Sequence, residues 1–258
     1  MRAVLSLARL YFLGAMRRQA HLATLFLAVI LLMLPSYINA FSLGLDAFER
    51  VAKDFGLTLI GYFGVGMGIV LASSSIPKDL ETRSLYPILA RPINRWQYIL
   101  SPCLATAALL FLSFLFLGLA LMVSISALTR TVEASLLIAV FSSYLQALIV
   151  ASFCTAFSTV ASPALAGTVG VFVFLIGSLP GAFIRFFLVE DRNNQFAAGA
   201  ATMLKSIVPN LSIYSLKDPI VHELPFNHLY LVAITLYALV WVACAIAGAG
   251  IMFGRRDL

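Results

Sequence analysis

Residues 134–187 read ASLLIAVFSSYLQALIVASFCTAFSTVASPALAGTVGVFVFLIGSLPGAFIRFF, an almost unbroken apolar run of more than 50 residues with Arg185 as its one charge. A helix needs about 20 mainly apolar residues to cross a bilayer, because in hydrocarbon the backbone must satisfy its own hydrogen bonds. The run is too long for one crossing. Its only polar break is Ser158, Thr159, Ser162 and Pro163, so a tight hairpin is expected there, joining two antiparallel spans.

Four further blocks reach spanning length, which gives six: His21–Phe41, Phe55–Ile76, Pro102–Ser124, Ala134–Val160, Leu165–Ile184 and Leu229–Phe253. Composition agrees. Of 258 residues 62% are hydrophobic and 11% charged, with a mean hydropathy of +1.00. A soluble globule of this length has too little interior for so much apolar surface. The fold expected is an all-α membrane protein, one transmembrane domain over residues 1–258.

Charge sets the orientation. The N-terminal stretch, the loop 77–101, the Pro163 hairpin and the tail after Phe253 hold ten bases (Arg2, Arg9, Arg17, Arg18, Lys78, Arg83, Arg91, Arg95, Arg255, Arg256) against three acids, a net +7. The alternate segments hold seven bases and eight acids, a net −1. The positive-inside rule places the first set, and both termini, in the cytoplasm. The overall +6 is therefore a topology signal. The bases show no run with interleaved aromatics, so no nucleic-acid partner is expected.

Residues 1–19 are too short and too charged to span. Arginines among Val4, Leu7, Tyr11 and Phe12 suit a helix in the cytoplasmic interface, touching membrane lipids. No small-residue cleavage site follows the first apolar run, which is read as a retained span rather than a leader. Residues 185–228 form the one large polar piece, on the external side. Short helices are expected there over Ala197–Ile207 and Ser212–Lys217, and the piece is large enough to meet an extracytoplasmic protein.

Few groups carry chemistry. Cys103, Cys154 and Cys244 all lie in apolar stretches without paired spacing, as buried hydrophobes do. His222 and His228 flank Glu223 but lack H-x-x-x-H spacing, so no metal site is expected. There is no G-x-S-x-G motif and no mid-span histidine to serve a nucleophile, and no catalytic residue is assigned. Mid-span charge is nearly absent, which disfavours an ion-coupled carrier. The clearest polar patch is Ser142, Ser143 and Gln146, which either line a pathway or bond between helices. Gly64 with Gly68, Gly177 with Gly181, and Gly250 with Gly254 have the spacing that lets helix backbones approach closely. The bland account, packing within one chain, is preferred to a dimer seam.

The loop after the second span reads IPKDLETRSLYPILARPINRWQY over residues 76–98. Charges of both signs surround an apolar patch at Leu85, Ile88 and Leu89, followed by Arg-Pro and Arg-Trp. Such a segment offers a protein partner an apolar face and arginines for an acidic rim. A loop that only sets topology needs less.

This loop resembles the signature of type-2 permease subunits of ATP-binding-cassette transporters. Glu81, Arg83-Ser84-Leu85, Ile88-Leu89, Pro92 and Arg95 stand at matching positions. The form LYPILARPINRWQY is particularly similar to the branch associated with multicopper-enzyme maturation, as in nitrous-oxide-reductase assembly. Pro209-Asn210-Leu211 and the Arg-Arg-Asp tail also fit. One departure is Ser101-Pro102, where members often carry Gly-Lys.

The resemblance implies a permease in a bacterial or archaeal cytoplasmic membrane, a homodimer or a pseudo-dimer with a relative. It would dock on cytoplasmic ATPase subunits through Glu81, Arg83, Ser84, Leu85, Leu89, Arg91, Pro92, Arg95 and Trp96. The chain has no G-x-x-x-x-G-K-S/T, so ATP and magnesium belong to the partner, and no cofactor or enzymatic activity is expected of this chain. The rival readings are a membrane scaffold or assembly factor and an ion-coupled secondary carrier.

Overall fold

The computed structural model describes residues 2–17, 20–39, 45–81, 95–130, 133–178, 208–217, 219 and 228–254. Among them there are seven α-helices, one 3-10 turn and no strand. The helices are α1 (Arg2–Arg17), α2 (Ala20–Asn39), α3 (Leu45–Glu81), α4 (Arg95–Thr129), α5 (Ser135–Ser158), α6 (Pro163–Ser178) and α7 (His228–Gly254); the 3-10 turn is Ser212–Tyr214. Four helices (α3, α4, α5 and α7) are long and apolar enough to cross a membrane, and α1, α2 and α6 contribute shorter apolar stretches.

The expected hairpin is present. α5 ends at Ser158, where the Ser158 and Thr159 hydroxyls turn back onto the Thr155 and Ala156 carbonyls. Pro163 then opens α6, at the helical position that has no use for the missing N–H. α5 is the centre of the bundle, packed by α3, α4, α6 and α7. It can be surrounded because its buried positions are largely small: Ala139, Ser142, Ala147, Ala151, Ser152, Cys154 and Ala156.

The helices outrun the apolar blocks. α3 has 37 residues and α4 has 35, about 55 and 52 Å at about 1.5 Å per residue, against a hydrocarbon core of about 30 Å. The second block was expected from Phe55, but the helix begins at Leu45. The third was expected from Pro102, but α4 begins at Arg95 and runs through that proline. Hydropathy marks where lipid begins; backbone hydrogen bonding continues into the polar flanks. The loop 77–101 is thereby shortened, with 77–81 in α3 and 95–101 in α4.

The chain alternates between two ends. One, here the basic end, gathers the C-terminus of α3, the N-terminus of α4, the hairpin and the C-terminus of α7. There Ile76, Tyr98, Ile99, Ala156, Ala249 and Phe253 form a small core onto which Tyr11 of α1 packs, with Tyr98 and Phe253 stacked at 5.7 Å. Ser101 Oγ donates to the Val4 carbonyl at 3.5 Å, so α1 joins this end. The opposite end holds the start of α3, the α4–α5 turn and residues 208–217. In that turn Arg130 takes the left-handed conformation (φ 56°) and donates its N–H to the Ser126 carbonyl, closing α4.

Candidate functional site

Residues 208–217 are a short strap let into the opposite end of the bundle. Asn210 starts its 3-10 turn by accepting the Ser212 N–H at 3.2 Å and the Ser212 hydroxyl at 2.7 Å. Leu211, Tyr214 and Leu216 are buried in the main core. A continuous helix over Ser212–Lys217 was expected here; the structure has a 3-10 turn over Ser212–Tyr214, a non-helical Ser215 and Leu216, and helical backbone again at Lys217. The reason is that the strap spends its backbone groups on the bundle. Leu211 N–H donates to the Gly177 carbonyl at 2.8 Å. Ser142 Oγ donates to the Tyr214 carbonyl at 2.8 Å and Tyr230 Oη to the Ile213 carbonyl at 2.6 Å. Asn210 N–H donates to Tyr237 Oη at 2.9 Å. Tyr214 Oη donates in turn to the Ile234 carbonyl at 2.9 Å, and burial pushes its phenol above the ordinary value, so it remains a donor. The second expected helix, Ala197–Ile207, lies outside the described residues.

Beneath the strap lies a cavity of about 420 Å³ between α3, α5 and α6. Ser143 and Gln146 line it. Ser142 does not; its hydroxyl is committed to the strap. Ser143 back-bonds to the Ala139 carbonyl, and Gln146 Nε2 donates to Ser178 Oγ at 3.4 Å. The sequence therefore located the polar patch but not its division into an anchor and a wall. Tyr62 and Phe174, edge to face at 5.8 Å, supply an aromatic side. Thr58, Ser212, Ser215 and Lys217 complete the polar lining, which has no carboxylate among the described residues. Lys217 is held at the rim by Asp54 at 3.2 Å.

Beside Asp54, the sequence reading missed a buried ion cluster. Lys53 is 1% exposed, and its ammonium meets Glu49 at 2.5 Å and Glu133 at 2.6 Å. Glu49 precedes it by four residues on α3, and Glu133 lies in the α4–α5 turn. A lone buried ammonium would be untenable; two carboxylates make it tolerable. All three lie outside the apolar blocks, among the charges of the alternate segments. The usable signal was the i, i+4 pair just ahead of an apolar block, which marks a helix continuing past it.

The glycines face neighbours within the chain. A Cβ on Gly64 would stand 2.0 Å from Phe114 Cζ on α4, whereas one on Gly68 would only touch Leu110, Ala147 and Ala151. On Gly177 it would stand 2.7 Å from the Pro209 carbonyl oxygen, so the strap can seat only against a bare backbone. Gly181 is outside the described residues.

Of the partner-contact residues, Glu81 closes α3 and Arg95 opens α4. Arg83, Ser84, Leu85, Leu89, Arg91 and Pro92 lie outside the described residues. Trp96 is 50% exposed; the rest of its ring lies against Gly250 of α7. Among the described residues no group of His, Cys, Asp and Glu could hold a metal ion.

The sequence matches the family described as ABC-2 family transporter protein over residues 6–258. No curated protein matches it.

Proposed function

The chain belongs to the ABC-2 transporter family, a multi-pass membrane family whose permeases generally work with a cytoplasmic ATPase, and on that premise we propose that it is the membrane subunit of an ATP-driven permease. ATP is bound and hydrolysed by a separate chain. The observation that carries this is the family match across nearly the whole length, joined to a sequence without a phosphate-cradling loop.

The basic end faces the cytoplasm, with six crossings and α1 in the interface. Residues 81–96 receive the ATPase, and two copies of the chain, or one copy and a relative, make the working unit. The strap is the external closure and the cavity beneath it the external end of the path. Its lining of hydroxyls, an amide, an aromatic pair and one lysine suits a polar or anionic solute better than a cation. The same strap could instead hand movement to an external protein partner; that reading fits the multicopper-enzyme-maturation branch, the narrower assignment we propose from the loop LYPILARPINRWQY. The ion-coupled carrier gains nothing from Lys53, which precedes the apolar block at Phe55 rather than lying mid-span.

The test is charge reversal at the docking loop. Arg83→Glu with Arg95→Glu leaves Lys78 and Arg91 to hold topology. Breaking a buried interfacial ion pair costs about 2–5 kcal/mol. The double variant should insert normally but lose the ATPase subunit on purification, or keep it while ATP turnover no longer responds to the permease. Normal coupled turnover would remove the docking role from this loop.

A further inference from the structure

A second cavity, of about 440 Å³, lies near the basic end between α1, α3 and α4. Its volume is in the range of small-ligand sites, about 300–1,000 Å³. It shares no lining residue with the cavity under the strap. Its walls are mainly hydrocarbon, with Leu7 and Leu10 on α1, Val70 and Leu71 on α3, and Leu109 on α4.

Two features distinguish it from a packing gap. Thr106 lines it at 5% exposure, and among the described residues its hydroxyl has no hydrogen-bond partner. Back-bonding to the carbonyl four residues earlier is the usual relief; Ser101, Thr155 and Thr168 take it, and Thr106 does not. A buried hydroxyl left so calls for a partner that enters from outside the chain. Gly14 stands on α1 in the cavity wall, and a Cβ there would meet nothing within 4 Å. Free volume thus remains where three helices meet.

We propose that this cavity is a binding site for an anionic phospholipid of the cytoplasmic leaflet. One acyl chain runs along the leucines and Val70, Thr106 donates its hydroxyl to an ester carbonyl, and the headgroup stays at the basic end. Charge complementarity selects the anionic class. The segments that the sequence assigns to the cytoplasm carry ten bases against three acids, Arg9 on α1 is exposed, and Arg17 ends that helix three residues after Gly14. A zwitterionic lipid with the same tails would fill the hydrocarbon part and gain little from the arginines. The site requires the cytoplasmic orientation of the basic end but not transport.

Native mass spectrometry of the full chain, released from nanodiscs of equal phosphatidylglycerol and phosphatidylcholine, tests this. Gly14→Leu fills the free volume; Thr106→Val removes the hydroxyl at nearly constant shape. Gly66→Leu is the control, since Gly66 is exposed on α3 and a Cβ there also meets nothing within 4 Å. The wild type and the control should retain one phosphatidylglycerol per chain in preference to phosphatidylcholine. Gly14→Leu should lower that retention by about tenfold, and Thr106→Val severalfold. Should Gly14→Leu fail to insert, Thr106→Val carries the test. Equal retention of the two lipids, no retained lipid, or variants that hold phosphatidylglycerol as the wild type does would each overturn the proposal.

Discussion

Replacing Gly177 by alanine should unseat the strap while leaving the bundle intact. The added methyl would stand 2.7 Å from the Pro209 carbonyl oxygen and 2.8 and 2.9 Å from Leu211 Cγ and Cδ1. A leucine can rotate, but a backbone oxygen cannot, and Pro209 is bracketed by the Leu211–Gly177 bond at 2.8 Å. Overpacking of this kind costs about 1–3 kcal/mol. The helix preference for alanine over glycine, about 0.5–1 kcal/mol, is gained by α6 whether the strap is seated or not, so it does not offset the clash. A penalty of about 1–3 kcal/mol shifts the seated-to-released equilibrium by about 5–150-fold. Hydrogen exchange reads it directly, because the Leu211 N–H is protected only while it donates to Gly177. Its protection should fall by that factor, and amides of α5 should not change. Gly66→Ala, with open space around its Cβ, should leave Leu211 unaffected. Unchanged protection of Leu211 in Gly177→Ala would refute the account of how the strap is held.

Three further outcomes are expected. In the ion cluster, Glu49→Gln with Glu133→Gln strands a lysine that is 1% exposed and should cost about 3–5 kcal/mol; Lys53→Met should cost less, because both glutamates are partly exposed. The order of Tm values in detergent checks this, and equal values would mean that Lys53 finds water. Single cysteines at Asp191 and Lys217, in a cysteine-free background, should react with an impermeant maleimide in intact cells, and those at Ser84 and Arg256 should not; labelling at 84 reverses the orientation. Replacing residues 196–206 with a Gly/Ser linker should leave membrane levels near normal and abolish activity, and retained activity would confine the external role to the strap.

How far the sequence could be read follows from the physics of each signal. Apolar length located the hairpin between α5 and α6, because the run is too long for one crossing and Ser158, Thr159, Ser162 and Pro163 supply its break. It misplaced the ends of α3 and α4, because hydropathy stops at the lipid boundary while the helix continues. Lys53, Glu49 and Glu133 looked like three loop charges; what joins them is a fold that returns the α4–α5 turn to α3, and no local pattern encodes that contact. Ser142 and Ser143 were indistinguishable as neighbours, yet one anchors the strap and the other lines the cavity, since successive helix positions are turned about 100° apart. The strap was legible only as part of a polar external piece, with a short helix expected over Ser212–Lys217; its inward seating depends on Tyr230 and Tyr237 of α7, and hydroxyls pairing at such separations leave no periodicity to find.

The central claim is that this chain supplies the membrane path and another chain supplies the ATPase. The most direct measurement is ATP turnover by the tagged wild-type protein purified alone and, separately, with whatever it retains from its own membrane. The account predicts no hydrolysis by the chain alone, and recovery of a subunit bearing G-x-x-x-x-G-K-S/T whose turnover changes when the permease is bound. Hydrolysis by the isolated chain, or a preparation from native membranes in which no such subunit is present, would contradict it.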